Sequence, residues 1–167
     1  MKMAKISYEK ITQIYMLSGV GYAPNNLELL SFDRALRAAN CADYNLSRLS
    51  SVLPPMSEVY LGKKSNFPKG AIVPTVYSFR TSSHEGQRIA CCVAVAIPKN
   101  AKKIGMFFEK SGIMTAHEAE AITTEEARLA MKERGIAIRN VLTVKSEGIV
   151  EPDGSLTVLA AALFDQR

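Results

Sequence analysis

Ala71-Ile-Val-Pro-Thr-Val-Tyr-Ser-Phe79, Ser82-Ser-His-Glu-Gly86 and Gln87-Arg-Ile-Ala-Cys-Cys-Val-Ala-Val-Ala-Ile97 decide how this chain is read. The outer two pieces are rich in β-branched and aromatic residues, and the middle one is polar with a glycine. That spacing predicts two strands with a hairpin-like connection. From Ile89 to Ile97 the second strand is almost wholly apolar with small side chains, so both of its faces are expected to be covered. Neighbours on a strand point to opposite faces, so Cys91 and Cys92 cannot grip one metal ion together. Buried packing is the expectation for both.

Downstream, Ile104 to Glu109 reads as another strand. Thr115-Ala-His-Glu118 is a capping box, with Thr115 placed to cap and Glu118 to reach back. It opens a helix that runs to about Arg134 and stops at Gly135, with Ala119, Ile122, Ala127, Ala130 and Met131 on the inner face. Ile136 to Val144 and Leu156 to Phe164 read as the last two strands, joined through the turn signal Glu151-Pro-Asp-Gly154. Upstream, Ile11 to Leu17 reads as a strand ended by Gly19, Gly21 and Pro24-Asn-Asn26, and Gly19-Val-Gly21 itself reads as a turn. Ser31 to Ala39 reads as a short helix, with Ser31 as N-cap and Asn40 as its stop. Tyr44 to Leu49 reads as a strand broken by Pro54-Pro55, with Leu53 held extended by the proline after it. A loop from Gly62 to Gly70 comes next. Runs of strands with only two helices predict an α+β domain with helices packed on an antiparallel or mixed sheet.

The chain has 167 residues, of which 47% are hydrophobic and 22% charged. About 150 residues per domain is the usual scale, so a single domain spanning 1–167 is expected. The longest apolar run, Ile89 to Pro98, is too short to cross a bilayer, which needs about 20 residues. The first ten residues hold no apolar signal core. Three cysteines suit a reducing, cytoplasmic setting. The net charge of +5 is spread thinly, with nothing denser than pairs such as Lys63-Lys64 and Lys102-Lys103. No nucleic-acid partner is expected from it. No phosphate loop, dinucleotide-binding fingerprint or nucleophile elbow occurs. His84 and His117 stand apart with no clustered carboxylates, so no metal site is expected.

One segment carries chemistry: Asn45-Leu-Ser-Arg-Leu-Ser-Ser-Val-Leu-Pro-Pro55. A strand runs straight into Ser50-Ser51, and two prolines stiffen the chain just beyond. A polar turn at a strand end accounts for the pattern. So does a second reading, in which the Ser51 hydroxyl is held against the Ser50 carbonyl and attacks it. That exchanges the amide for an ester, which a relaxed peptide resists and a rigidly held one permits. Elimination from the ester would cut the chain before residue 51 and leave a dehydroalanine. Hydrolysis with loss of ammonia would turn that residue into a pyruvoyl ketone.

This segment resembles the self-cleavage site of the pyruvoyl-dependent arginine decarboxylases. The resemblance extends through Ser31-Phe-Asp-Arg-Ala-Leu36, Asn45-Leu46, Arg48 to Pro55, Gly70 to Tyr77, Val93 to Pro98, Gly105 to Glu109 and Ala160-Ala-Ala-Leu163. Order and spacing agree from about residue 27 onward. The resemblance implies an αββα sandwich, cut between Ser50 and Ser51 into a β chain (1–50) and an α chain (51–167). It implies a homo-oligomer, a trimer of αβ units or a dimer of trimers, with active sites at subunit interfaces. The cofactor would be a pyruvoyl group made from Ser51, with no metal and no pyridoxal phosphate. The reaction would be conversion of L-arginine to agmatine and carbon dioxide through a Schiff base with the substrate amine.

Residue by residue, the resemblance implies that Glu109 is the proton donor to Cα, a role that needs a neutral carboxylic acid. It implies that Asp33 binds the guanidinium, although an ordinary pair with Arg37 at i+4 gives the same pattern. Arg34, where relatives carry a glycine, sets a cation beside that carboxylate. Asn45 matches a position beside the cleavage site, where its amide would donate to the developing oxyanion. Leu29 and Leu36 match positions lining the substrate's methylene chain. Ala42 and Tyr44 stand where a glycine and a small aliphatic residue are expected, and the bulk of Tyr44 would reshape that pocket. Another basic amino acid as substrate, and a non-catalytic oligomeric binding module on the same scaffold, are the competing readings.

Overall fold

The computed structural model describes residues 12–166. Its elements in chain order are β1 (Gln13–Pro24), α1 (Glu28–Ala38), β2 (Asn45–Arg48), β3 (Val52–Leu53), β4 (Glu58–Leu61), β5 (Ile72–Ser82), β6 (Arg88–Pro98), β7 (Gly105–Gly112), α2 (Ala116–Glu133), β8 (Ile138–Ile149) and β9 (Gly154–Asp165). They form a five-stranded sheet in the order β2-β5-β9-β1-β4 and a four-stranded sheet in the order β3-β7-β6-β8. The first sheet is mixed, because β1 runs parallel to β4 and β2 parallel to β5.

Three apolar clusters define four layers. Ile14, Met16, Val76, Val93, Val95, Phe107, Leu156 and Val158 fill the space between the sheets. Ala35 of α1 and Ala39 at its C-cap close a second cluster on the outer face of the five-stranded sheet, over Leu17, Val73 and Leu159. Ala127 and Met131 of α2 close the third over Ala96 and Met106. The expected αββα sandwich is this arrangement. Burial of these apolar side chains, at about 25 cal/mol per Å², is the main force holding the layers together.

The glycines of β1 do not end it. The strand continues through Gly19 and Gly21 to Pro24, pairing with β9 along its whole length. A Cβ on Gly19 would lie 2.3 Å from the Ala35 carbonyl oxygen, and one on Gly21 would lie 2.1 Å from the Ser31 carbonyl oxygen. The two glycines, two residues apart on one face of the strand, are the floor on which the α1 backbone rests. Gly21→Ala is therefore expected to destabilise the fold by the upper end of the about 1–3 kcal/mol typical of overpacking, or more. A urea midpoint equal to that of the parent chain would contradict this. The predicted start of the strand at Ile11, like the first ten residues, lies outside the described residues.

Ser31 is not the N-cap of α1. Asn25 and Asn26, both with positive φ (55° and 56°), turn the chain so that the helix begins three residues earlier. Ser31 sits inside, where its hydroxyl donates to the Glu28 carbonyl and meets Thr157 Oγ1, each at 2.7 Å. Asn40 does end the helix, at φ 56°. The capping box of α2 is present on both sides: Thr115 Oγ1 accepts from the Glu118 N–H, and the Glu118 carboxylate accepts from the Thr115 N–H. Gly135 stops that helix at φ +63°. Ile122, expected inward, is exposed, and Thr123 takes the buried position instead.

Ser82 to Gly86 does not close a hairpin. Beyond Thr75 only β9 pairs with β5, and the chain crosses to the other sheet, where β6 lies between β7 and β8. That position gives β6 the two covered faces its sequence requires. Cys91 looks into the core between the sheets and contacts Ser146 Oγ, while Cys92 accepts from Thr123 of α2. Burial pushes the Cys41 and Cys91 thiols up to about 12. These are packing residues. The short strands β3 and β4 carry no periodic signal and are found only in the structure. Among the described residues no helix is long and apolar enough to cross a membrane.

Candidate active site

The chain leaves the five-stranded sheet at Arg48 and enters the four-stranded sheet at Val52, so Ser50 and Ser51 are the crossover itself. Backbone bonds hold it on both sides. Leu49 N–H donates to the Thr75 carbonyl at 3.0 Å, and Phe107 N–H donates to the Ser51 carbonyl at 2.8 Å. Between them Val52 N–H donates to the Ser50 carbonyl at 3.0 Å. Ser50 is exposed and Ser51 half-buried. Pro54 and Pro55 stand just beyond β3.

Glu109 comes to this crossover from the middle of β7, not from a strand end. It stands two residues after Phe107 and shares its face, so its side chain leaves β7 on the face that packs against the other sheet. The Ser51 side chain lies near enough to its carboxylate to lower the Glu109 pKa. Arg48 Nη1 stands 3.7 Å from Glu109 Oε1, with the arginine side chain 53% exposed and the glutamate 25%. The same guanidinium lies 4.5 Å from the centre of the Tyr77 ring. Burial is the main influence on Glu109 and raises its pKa, and Glu126 of α2 adds to this. Arg48 and the Ser51 hydroxyl oppose it, and the balance stays above the ordinary glutamate value. A carboxyl raised in the folded state favours the fold below the ordinary range and weakens it as pH rises through the folded value. Glu120 behaves oppositely. Its bonds to Lys145 and Thr143 lower it, so its contribution is lost as pH falls.

The other sequence-predicted residues lie elsewhere within one chain. Asp33 is exposed on α1 and pairs with Arg37 at 3.5 Å. Arg34 turns from it and donates to the Tyr22 carbonyl at 2.6 Å. Leu29 is 86% exposed. Leu36 and Tyr44 pack on the cluster beneath α1, with Tyr44 edge-on to Phe67 and its hydroxyl directed to the Ser65 carbonyl. Asn45 stands at the far end of β2. Its side-chain amide donates to the Gly70 carbonyl at 2.9 Å, and its backbone N–H donates to the Ala71 carbonyl. An aromatic strip joins the two regions: Tyr77 stacks on Phe79, and Phe79 meets Phe32 of α1 at 4.8 Å. Sequence reasoning assigned no role to Arg48 or Tyr77. Their only signal was an arginine two residues before the serine pair.

The family model for pyruvoyl-dependent arginine decarboxylase matches residues 13–167. The chain belongs to the pyruvoyl-dependent arginine decarboxylase family. A pyruvoyl-dependent arginine decarboxylase of Methanococcus aeolicus is 34% identical over 147 residues, covering 88% of this chain and 87% of the relative. One from Methanocaldococcus jannaschii is 33% identical over 144 residues, covering 86% of each. One from Pyrococcus abyssi is 29% identical over 142 residues, covering 85% of this chain and 89% of the relative. The family's name implies a pyruvoyl group. The crossover holds a serine hydroxyl next to a carbonyl bonded by the Val52 N–H, a nearby carboxyl, and backbone bonds on both flanks.

Proposed function

We propose that this chain cuts itself between Ser50 and Ser51 and, as processed β (1–50) and α (51–167) chains, converts L-arginine to agmatine and carbon dioxide. The observation that carries the reading is the meeting of Ser51 and Glu109 at a crossover held by hydrogen bonds from both sheets. In the cut, Ser51 Oγ attacks the Ser50 carbonyl carbon, and the acyl group passes from nitrogen to oxygen. Removal of the residue 51 Cα proton then breaks the Cβ–O bond and releases Ser50 as a carboxylate. The remaining dehydroalanine takes up water and loses ammonia to leave the pyruvoyl group. Once formed, that ketone supplies the electron sink for the charge left at Cα when carbon dioxide departs.

The protein's own part is to hold and deliver a proton. Glu109 is assigned the proton for Cα, a role that its partial burial and its shift toward the neutral form support. Asp33 is assigned to the substrate guanidinium, since a carboxylate accepts two parallel N–H bonds from it. Leu29 and Leu36 are assigned to the methylene chain, with Tyr44 shaping its end. Asn45 uses one amide hydrogen on Gly70 and keeps a second, which it would offer to an oxyanion from a neighbouring subunit, since in its own chain it stands at the end of β2 away from Ser50. The exposure of Leu29 and Asp33, away from Glu109 in the same chain, supports a homo-oligomer with sites between subunits, and the trimer, or dimer of trimers, is assigned from the family resemblance.

Release of carbon dioxide from carboxyl-labelled arginine, but not from lysine or ornithine, is the expected result. The reverse preference would overturn the substrate assignment. Asp33→Ala is expected to raise KM for arginine roughly 10- to 100-fold, the worth of a charged hydrogen-bonded pair, while leaving the cut intact. An uncut Asp33→Ala chain would make Asp33 structural.

A further inference from the structure

The arginine beside Glu109 lies on one side of the proposed cut and Glu109 on the other. Arg48 belongs to residues 1–50, while Glu109 and Tyr77 belong to residues 51–167. The Arg48–Glu109 contact, at 3.7 Å, is looser than a charge-assisted hydrogen bond of about 2.7–2.9 Å. Resting on Tyr77 with its side chain 53% exposed, Arg48 is free to turn. Two residues along the chain is Ser50, within about 7 Å even if fully extended. Scission would make Ser50 a C-terminus. An α-carboxyl ionises near pH 3.5, below a glutamate, and so presents a full negative charge.

We infer that Arg48 is a positioning residue that changes partner on scission: it pairs with Glu109 in the uncut chain and with the new Ser50 carboxylate afterward, so that the cut itself turns Glu109 into a proton donor. This rests on the proposed cut between Ser50 and Ser51.

The groups around Glu109 support one direction of change. On β2, Arg48 favours its ionised form, and at the crossover so does the Ser51 hydroxyl. On α2, Glu126 disfavours it, as does burial. Val93, its register partner on β6, and Val52 and Leu53 on β3 carry no charge. Tyr77 on β5 lies under Arg48. Scission removes both influences that favour the carboxylate, because the Ser51 hydroxyl is consumed and Arg48 is drawn away. Both opposing influences remain, and the Ser50 carboxylate adds a third. Glu109 thereby holds its proton more firmly in the processed enzyme than in the uncut chain.

The test is a titration of the Glu109 carboxyl carbon by NMR in three proteins: processed wild type, uncut Ser51→Ala, and uncut Ser51→Ala with Arg48→Gln. The Ser51→Ala chains already lack the hydroxyl, so the comparison isolates Arg48 and the new carboxylate. Glu109 should titrate lowest in Ser51→Ala and higher in both others, and Arg48→Lys in the uncut chain should bring it back down. In the processed enzyme, the alkaline limb of kcat/KM should follow the higher value. Equal titration in cut and uncut chains, or no effect of Arg48→Gln, overturns the inference. Intact mass of the same samples separates the two failures. A full-length wild type overturns the proposed function and this inference with it, while a cut wild type with unmoved Glu109 overturns this inference alone.

Discussion

Ser51→Ala is expected to leave a single uncut chain with no decarboxylase activity. Alanine has no oxygen to accept the Ser50 acyl group, so neither the ester nor the elimination can occur. The loss should be complete rather than partial, because no other group supplies the ketone. The fold should survive. Ser51 contributes its carbonyl to the Phe107 N–H, and alanine keeps that bond. Its hydroxyl is a neighbour of the Glu109 carboxylate, and losing it leaves the backbone bonds of the crossover in place. A denaturing gel shows one band in place of two, and circular dichroism matching the parent shows that folding is intact. A cut and active Ser51→Ala protein would remove the proposed chemistry altogether.

Glu109→Gln is expected to lower kcat by roughly 100-fold or more, within the range that general acid catalysis supplies. Glutamine matches the shape and has no proton to give. KM for arginine should move little, because the guanidinium end is assigned to Asp33. Rates are compared per processed site, with the cut fraction read by mass. The pH dependence has a definite sign. A donor must be protonated, and burial holds Glu109 in that form above the ordinary glutamate range. Activity should fall as pH rises through its raised value, and that limb should vanish in Glu109→Gln. A variant with parental kcat, or with the limb intact, would assign the donor elsewhere.

Legibility in the sequence followed how local each cause was. The α2 helix was readable at both ends because Thr115, Glu118 and Gly135 act within a turn of themselves. The covered faces of β6 were readable because its apolar run leaves no face for water. Gly19 and Gly21 were misread because their cause is the α1 backbone, a tertiary contact that looks in sequence like a turn. The β5–β6 connection differs from a hairpin because β6 is held by β7 and β8, distant partners that the local pattern does not display. At the site, the Ser50-Ser51 pair stood out through the prolines after it. Its meeting with Glu109 joins residues 58 positions apart. Family resemblance pointed to both residues, and the crossover between sheets supplies the physical reason they meet. Arg48 carried no such mark. Its significance comes from reaching across the proposed cut, which only the packed chain displays.

The intact mass of freshly purified wild-type protein is the most direct test of the central claim. Two species are predicted, matching residues 1–50 with a free carboxylate and residues 51–167 with a blocked, ketone-bearing N-terminus that borohydride or hydrazine modifies. One species of full translated mass, in correctly folded material that neither reagent labels, would contradict it.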